Sequence, residues 1–192
     1  MERYALQVEE GVALEVPYVR QTSRTDCGSA ALASVMEYYR GSAYSPGALS
    51  DRYPHASPRG YSLGELREIA RQHGFVAFVV PGDESFLRGH LERGRPLIVP
   101  LQARQGDTGP RGTPGVFARL IERRGDPEQD PGYDHYVVVV GMDDARGKVL
   151  AMDPARGPVE IDFEDFATAW ERMHHAVLLL GLGDQGRRAA PD

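Results

Sequence analysis

The stretch from His135 to Asp153 constrains the fold of this chain more than any other. His135-Tyr-Val-Val-Val-Val-Gly-Met142 carries the strongest strand signal in the sequence. Asp143-Asp-Ala-Arg-Gly147 is turn-forming, Lys148 to Met152 returns as a second strand, and Asp153-Pro154 closes it. The segment therefore reads as an antiparallel hairpin with a histidine opening one strand and an aspartate ending the other. A three-residue loop would set an even register, in which paired residue numbers add to an even value. His135 and Asp153 would then lie on one face, opposite or diagonal to each other. An odd register would separate them.

Helical spacing dominates the first part of the chain. Ala30, Leu32, Ala33, Val35, Met36 and Tyr39 recur at helical intervals, and Gly41 stops the run. Ser42 to Tyr61 is rich in Pro, Ser and Gly and is expected to be loop with a helical turn. Ser62 and Glu65 form a capping-box pattern ahead of Leu66, Ile69 and Ala70, in a helix ended by His73-Gly74. A third helix is expected over 84–93, and a last one over 164–173 with Asp162 as its cap. Strands are expected at 12–19, 75–80, 97–101 and 176–180. Helices first and strands later indicate an α+β fold, with N-terminal helices packed on a largely antiparallel sheet.

The 192 residues are expected to form a single domain over 1–181, followed by a polar C-terminal tail at 182–192. An insertion at about 102–134, rich in Gly and Pro, has the length and composition of a lid or substrate-binding loop. The hydrophobic fraction of 41% and charged fraction of 26% describe an ordinary globule. A net charge of −6 gives nucleic acid no electrostatic footprint. No apolar run approaches the roughly 18 residues of a membrane span. The first residues lack the basic and apolar regions of a signal peptide, so a cytoplasmic location is expected. The single cysteine excludes an intramolecular disulfide and multi-cysteine zinc sites.

That cysteine, Cys27, sits between Asp26 and Gly28 where a loop meets the first helix. Packing is the plain explanation of a lone thiol. The backbone N–H groups opening a helix, however, favour thiolate over thiol and suit a nucleophile. Gly28 would leave the approach to sulfur free, and Gln21, six residues upstream, could aim an amide at a developing oxyanion. A cysteine nucleophile also needs a base and a group to orient that base, which His135 and Asp153 can supply. The other histidines fit capping or surface roles: His55 in a loop, His73 at a helix end, His90 on an exposed helix, and His174-His175 beyond the last helix. A metal held by Cys27, His135 and Asp153 would lack a fourth ligand at a convincing spacing, so no metal or other cofactor is expected.

Together, Gln21, Asp26-Cys27-Gly28, Tyr38-Tyr39, His135 opening a valine-rich strand and Asp153-Pro154 resemble the bacteriocin-processing (double-glycine leader) peptidase family. So do Gly60 to Leu66 and the closing 163–170 helix, and the likeness extends over roughly 16–180. The resemblance implies a papain-like cysteine protease fold. It also implies Cys27 as nucleophile, His135 as base, Asp153 as its orienter and Gln21 in the oxyanion hole. The implied partners are a peptide or protein substrate, with association to an exporter or precursor peptide. The membrane and ATPase domains that often follow such peptidases are not in this sequence. Three activities fit these residues: a cysteine peptidase processing a leader or precursor peptide, an acyltransferase or amidase using the same triad, and a non-catalytic module that binds peptide leaders.

Overall fold

The computed structural model describes residues 6–103 and 133–183. The expected insertion at 102–134 and the tail at 182–192 lie largely outside these residues. Among the described residues, seven strands and five helices follow in the order β1 (Gly11–Ala13), α1 (Cys27–Arg40), α2 (Pro46–Arg52), α3 (Leu63–Gln72), β2 (Phe75–Pro81), α4 (Glu84–Leu91), β3 (Leu97–Ala103), β4 (Tyr133–Asp143), β5 (Lys148–Asp153), β6 (Gly157–Asp162), α5 (Phe163–Glu171) and β7 (Ala176–Leu182).

The strands form one sheet in the order β2-β7-β3-β4-β5-β6, and every described pairing in it is antiparallel. β4 is its spine. One edge pairs with β3 over Tyr133 to Val139 and then with β1 over Gly141 to Asp143, while the other edge pairs with β5. The valine run of β4 is buried on both sides of the sheet. Tyr136, Val138 and Val140 join Leu150, Met152 and Ile98 in one core cluster, with Leu32, Val35 and Met36 of α1 and Leu66 and Ile69 of α3. Val137 and Val139 join Ala151, Val99 and Leu101 in the other, with Leu87 and Leu91 of α4 and Phe166 and Trp170 of α5. Helices thus cover both faces of an antiparallel sheet.

Local chemistry explains the helix ends. The Ser62–Glu65 capping box forms as expected: Ser62 Oγ accepts the Glu65 N–H at 3.2 Å, and the Ser62 N–H donates to Glu65 Oε2 at 2.7 Å. Gly41 ends α1 in the left-handed conformation, with φ of 67°. The helical turn expected within 42–61 is α2, begun by Ser45 and Pro46.

Several expectations need correction, among them the helix at 164–173, which runs from Phe163 to Glu171. The first strand covers only Gly11–Ala13, the residues in register with Gly141 to Asp143 of β4. The expected helix at 84–93 stops at Leu91. β6 has no counterpart among the expected strands: Gly157-Pro-Val-Glu-Ile-Asp162 has too few apolar residues to stand out, and becomes a strand by pairing with β5. Asp162 stands at the N-cap position of α5 without a capping bond, since its carboxylate accepts from Lys148 Nζ at 2.7 Å.

The hairpin departs from expectation in the most consequential way. Asp143 pairs with Lys148, so the loop holds four residues, 144–147, and the register near the turn is odd. Carried to the strand ends, that register would place His135 and Asp153 on opposite faces. A β-bulge between Val139 and Gly141 absorbs one residue of β4 and makes the register even beyond it: Val139 pairs with Ala151 and Val138 with Met152. Core membership shows the same reversal, since Val140 and Met142, two residues apart, fall in different clusters.

Gly141 closes the bulge where β1 crosses it. A Cβ there would lie 2.4 Å from the Val12 carbonyl oxygen and 3.0 Å from Ala13 Cα, both backbone atoms. Gly141→Ala should therefore push β1 off β4 and cost about 1–3 kcal/mol, as overpacked sites do. A lowered urea midpoint with an unchanged slope is expected, and a midpoint equal to wild type would refute this account of the glycine.

Candidate active site

The site is assembled where α1 begins and where β4 starts and β5 ends. Cys27 is the first residue of α1 and is 4% exposed. It belongs to the core cluster of α1 and α3. His135 and Asp153, each 2% exposed, follow the alternation of the opposite face, since His135 pairs with Leu101 of the second cluster. The three side chains meet at the end of the sheet.

His135 Nε2 and Asp153 Oδ1 are 2.7 Å apart, a short, charge-assisted contact in a buried setting. The even register makes them diagonal neighbours, because Asp153 continues the ladder opposite Val137, two residues beyond His135. Asp153 Oδ1 also accepts the Ala155 N–H at 2.8 Å. That second bond is an Asx turn, so one oxygen of Asp153 both forms the turn and contacts His135.

Burial alone would lower the His135 pKa, but hydrogen bonds to Asp153 and Cys27, together with their charges, outweigh it and raise it to about 9. The imidazolium is thus the favoured form across neutral pH. Cys27 is among the groups that raise the pKa of this ring and Asp153 is in contact with it, so the structure groups Cys27, His135 and Asp153.

Gln21 lies beside them. Its backbone N–H donates to the Pro154 carbonyl at 2.9 Å, which ties it to the residue after Asp153. Its side-chain Nε2 donates to the Ser23 carbonyl at 2.9 Å. An amide nitrogen carries two hydrogens, so that bond leaves one N–H for another acceptor.

Gly28 has a different use from the one expected. It is buried, and a Cβ there would meet Leu66 Cδ1 at 3.2 Å, Tyr136 Cδ2 at 3.3 Å and Tyr61 Cβ at 3.3 Å. It serves close packing of α1 against its neighbours rather than access to sulfur. Gly60 and Tyr61 form the buttress behind this point. Gly60, with φ of +101°, leaves no room for a Cβ, which would fall 2.6 Å from the Thr25 carbonyl oxygen. Tyr136 Oη donates to the Tyr61 carbonyl at 2.8 Å. The Gly60 to Leu66 segment thus supports the loop that delivers Cys27.

Four of the other histidines make ring contacts of their own. His73 packs edge-on against Tyr44 and Tyr53, His55 edge-on against Tyr61, His175 edge-on against Trp170, and His90 at a tilt against Phe86. His174 and His175 adopt left-handed backbone, with φ of 54° and 52°. Among the described residues, no helix is long and apolar enough to cross a membrane.

Residues 13–178 match the Peptidase C39-like family. The chain belongs to that family. It is a cysteine peptidase, and solved structures give its fold class. The peptidase domain of Streptococcus ComA, a bifunctional ABC transporter involved in a quorum-sensing pathway, is 23% identical with a TM-score of 0.61, over 86% of this chain and 98% of that one. A double glycine motif protease from an AMS/PCAT transporter, solved in complex with the leader peptide, is 21% identical with a TM-score of 0.56, over 92% and 97%. Digestive procathepsin L 3 of Tenebrio molitor larval midgut is 12% identical with a TM-score of 0.54, over 92% and 71%. The peptidase therefore has the papain-like fold. No curated protein sequence matches it.

Linkage gives the raised histidine a measurable signature. A group whose folded pKa exceeds its unfolded value stabilises the fold fully below the unfolded value, here about 6.5. That contribution fades as pH rises through about 9. Urea unfolding of the wild type should therefore lose stability between these pH values by more than His135→Gln does. Parallel pH profiles for the two proteins would contradict the assignment.

Proposed function

We propose that this peptidase cleaves a peptide bond through a thioester on Cys27, with His135 as acid and base, Asp153 as its orienter, and Gln21 with the Cys27 N–H as the oxyanion hole. The observation that carries this reading is the buried 2.7 Å His135–Asp153 contact with Cys27 acting on the same ring.

Asp153 occupies Nε2, so Nδ1 is the nitrogen that serves the thiol. The Cys27 proton rests on His135, and the sulfur attacks the scissile carbonyl carbon. The carbonyl oxygen takes up negative charge opposite the remaining Gln21 N–H and the Cys27 N–H, which as the first in α1 has no partner within the helix. Collapse of this intermediate breaks the C–N bond, and His135 gives its proton to the leaving amine. Water, deprotonated by the neutral imidazole, then attacks the thioester, releases the acid and restores the pair. Asp153 holds the ring in one orientation through both halves.

For the substrate we propose a leader or precursor peptide. Two structural relatives support this: one is a transporter's peptidase domain, and the other was solved with a leader peptide bound. An exporter or a precursor peptide is the corresponding partner.

Three measurements test the reading. Iodoacetamide should label Cys27 stoichiometrically at about pH 6, where an ordinary thiol is almost wholly protonated, and His135→Ala should abolish that labelling. Labelling that begins only above about pH 8 would defeat the proposal. Precursor peptides whose leaders end in Gly-Gly or Gly-Ala should be cut by the wild type and left intact by Cys27→Ala, as read by mass spectrometry. Gln21→Ala should lower kcat by about 10²–10³, the usual cost of one oxyanion donor. Products carrying an acceptor amine in place of water would point to acyl transfer.

A further inference from the structure

Asp26 is a buried carboxylate that this mechanism does not use. It is 4% exposed and stands immediately before Cys27, at the N-cap position of α1. Aspartate at that position ordinarily accepts an N–H from the first turn of its helix. Here it makes no such bond. Its carboxylate turns back along the loop instead. Oδ2 accepts the Thr22 hydroxyl at 2.6 Å and the Thr22 N–H at 3.1 Å, and Oδ1 accepts the Ser23 N–H at 2.8 Å. These bonds keep the carboxyl ionised. Burial would raise its pKa, but the hydrogen bonds from Thr22 and Ser23 outweigh burial and hold it below its ordinary value.

The consequence lies at Ser23. The Ser23 carbonyl is the acceptor for Gln21 Nε2, whereas Gln21 Oε1 is buried without a hydrogen-bond partner among the described residues. The orientation of the Gln21 amide therefore rests on one bond, to a carbonyl of a residue whose N–H is held by Asp26. The Gln21 backbone is anchored independently, through Pro154.

We propose that Asp26 is a positioning residue for the oxyanion hole. It fixes the Ser23 backbone, and through it the direction of the free Gln21 N–H. This rests on the oxyanion role proposed above for Gln21. Asp26 does not touch the reacting atoms and takes no proton.

A double-mutant cycle separates this role from general support of the loop. The substrate is nitrophenyl acetate, an activated ester that acylates a cysteine nucleophile whatever its peptide preference. Asp26→Asn should slow acylation by about 10–100-fold, the scale expected when a catalytic group is misplaced by an ångström or less. In the Gln21→Ala background the same substitution should cost less than about two-fold, because effects that pass through one residue do not add. Iodoacetamide labelling of Cys27, which forms no oxyanion, should keep its wild-type rate in Asp26→Asn. Thr22→Val, which removes only the 2.6 Å hydroxyl bond, should act in the same direction and is read by the same cycle if Asp26→Asn does not fold. Additive losses in the cycle, labelling that falls in step with acylation, or unchanged acylation in Asp26→Asn would each overturn the inference. If Gln21→Ala alone leaves acylation unchanged, the oxyanion reading fails first and this inference falls with it.

Discussion

The contact between His135 and Asp153 is the interaction on which the site depends, and it exists because of a single unpaired residue in β4. Eight positions separate His135 from the hairpin pair at Asp143, whereas five separate Lys148 from Asp153. Side chains on a strand alternate with period two, so these counts alone would send the two groups to opposite faces. The bulge next to Gly141 cancels the difference. Gly141 is needed there because β1 passes within contact distance of its backbone. A strand irregularity, a missing side chain and a short edge strand thus act together to place one hydrogen bond.

Around that bond, the backbone does much of the positioning. Asp153 is held by the Ala155 N–H, Gln21 by the Pro154 carbonyl, and the loop before Cys27 by Asp26 and by the close approach of Gly60 to Thr25. Each contact joins segments that are far apart in sequence or fixes a loop that helix and strand hydrogen bonds do not reach. Sites of this kind work when their supporting residues are themselves rigid.

Much of this is legible in the sequence. The valine run, the Gly41 stop and the Ser62–Glu65 box are local signals, and the elements they specify form where local chemistry puts them. Cys27, His135 and Asp153 are each legible as candidates at element boundaries, but the three-residue loop expected to bring His135 and Asp153 to one face does not form, and the bulge does that instead. What stays hidden depends on pairing partners. β6 is a strand because β5 lies beside it, and Asp162 gives up its capping bond because Lys148 is within reach. The bulge is invisible in a run of four valines, any one of which could carry it. Chain neighbours alone say little about Gly28 and Asp26, whose roles are set by Tyr61, Tyr136, Thr22 and Ser23, which only the folded loop brings against them.

The division of the core into two clusters has a consequence for how the site tolerates change. Sulfur is carried by the layer that contains α1 and α3, whereas imidazole and carboxylate are carried by strands whose alternation faces α4 and α5. Imidazole and carboxylate therefore share the β4–β5 hairpin, whereas sulfur is placed by the packing of α1 on the other face of that hairpin. Close-packed interiors transmit a change of even one methylene. Repacking of the α1 and α3 layer therefore bears on the place of sulfur, while the strand register keeps His135 against Asp153. In this scaffold the place of sulfur depends on helix packing, and the His135–Asp153 contact on strand register.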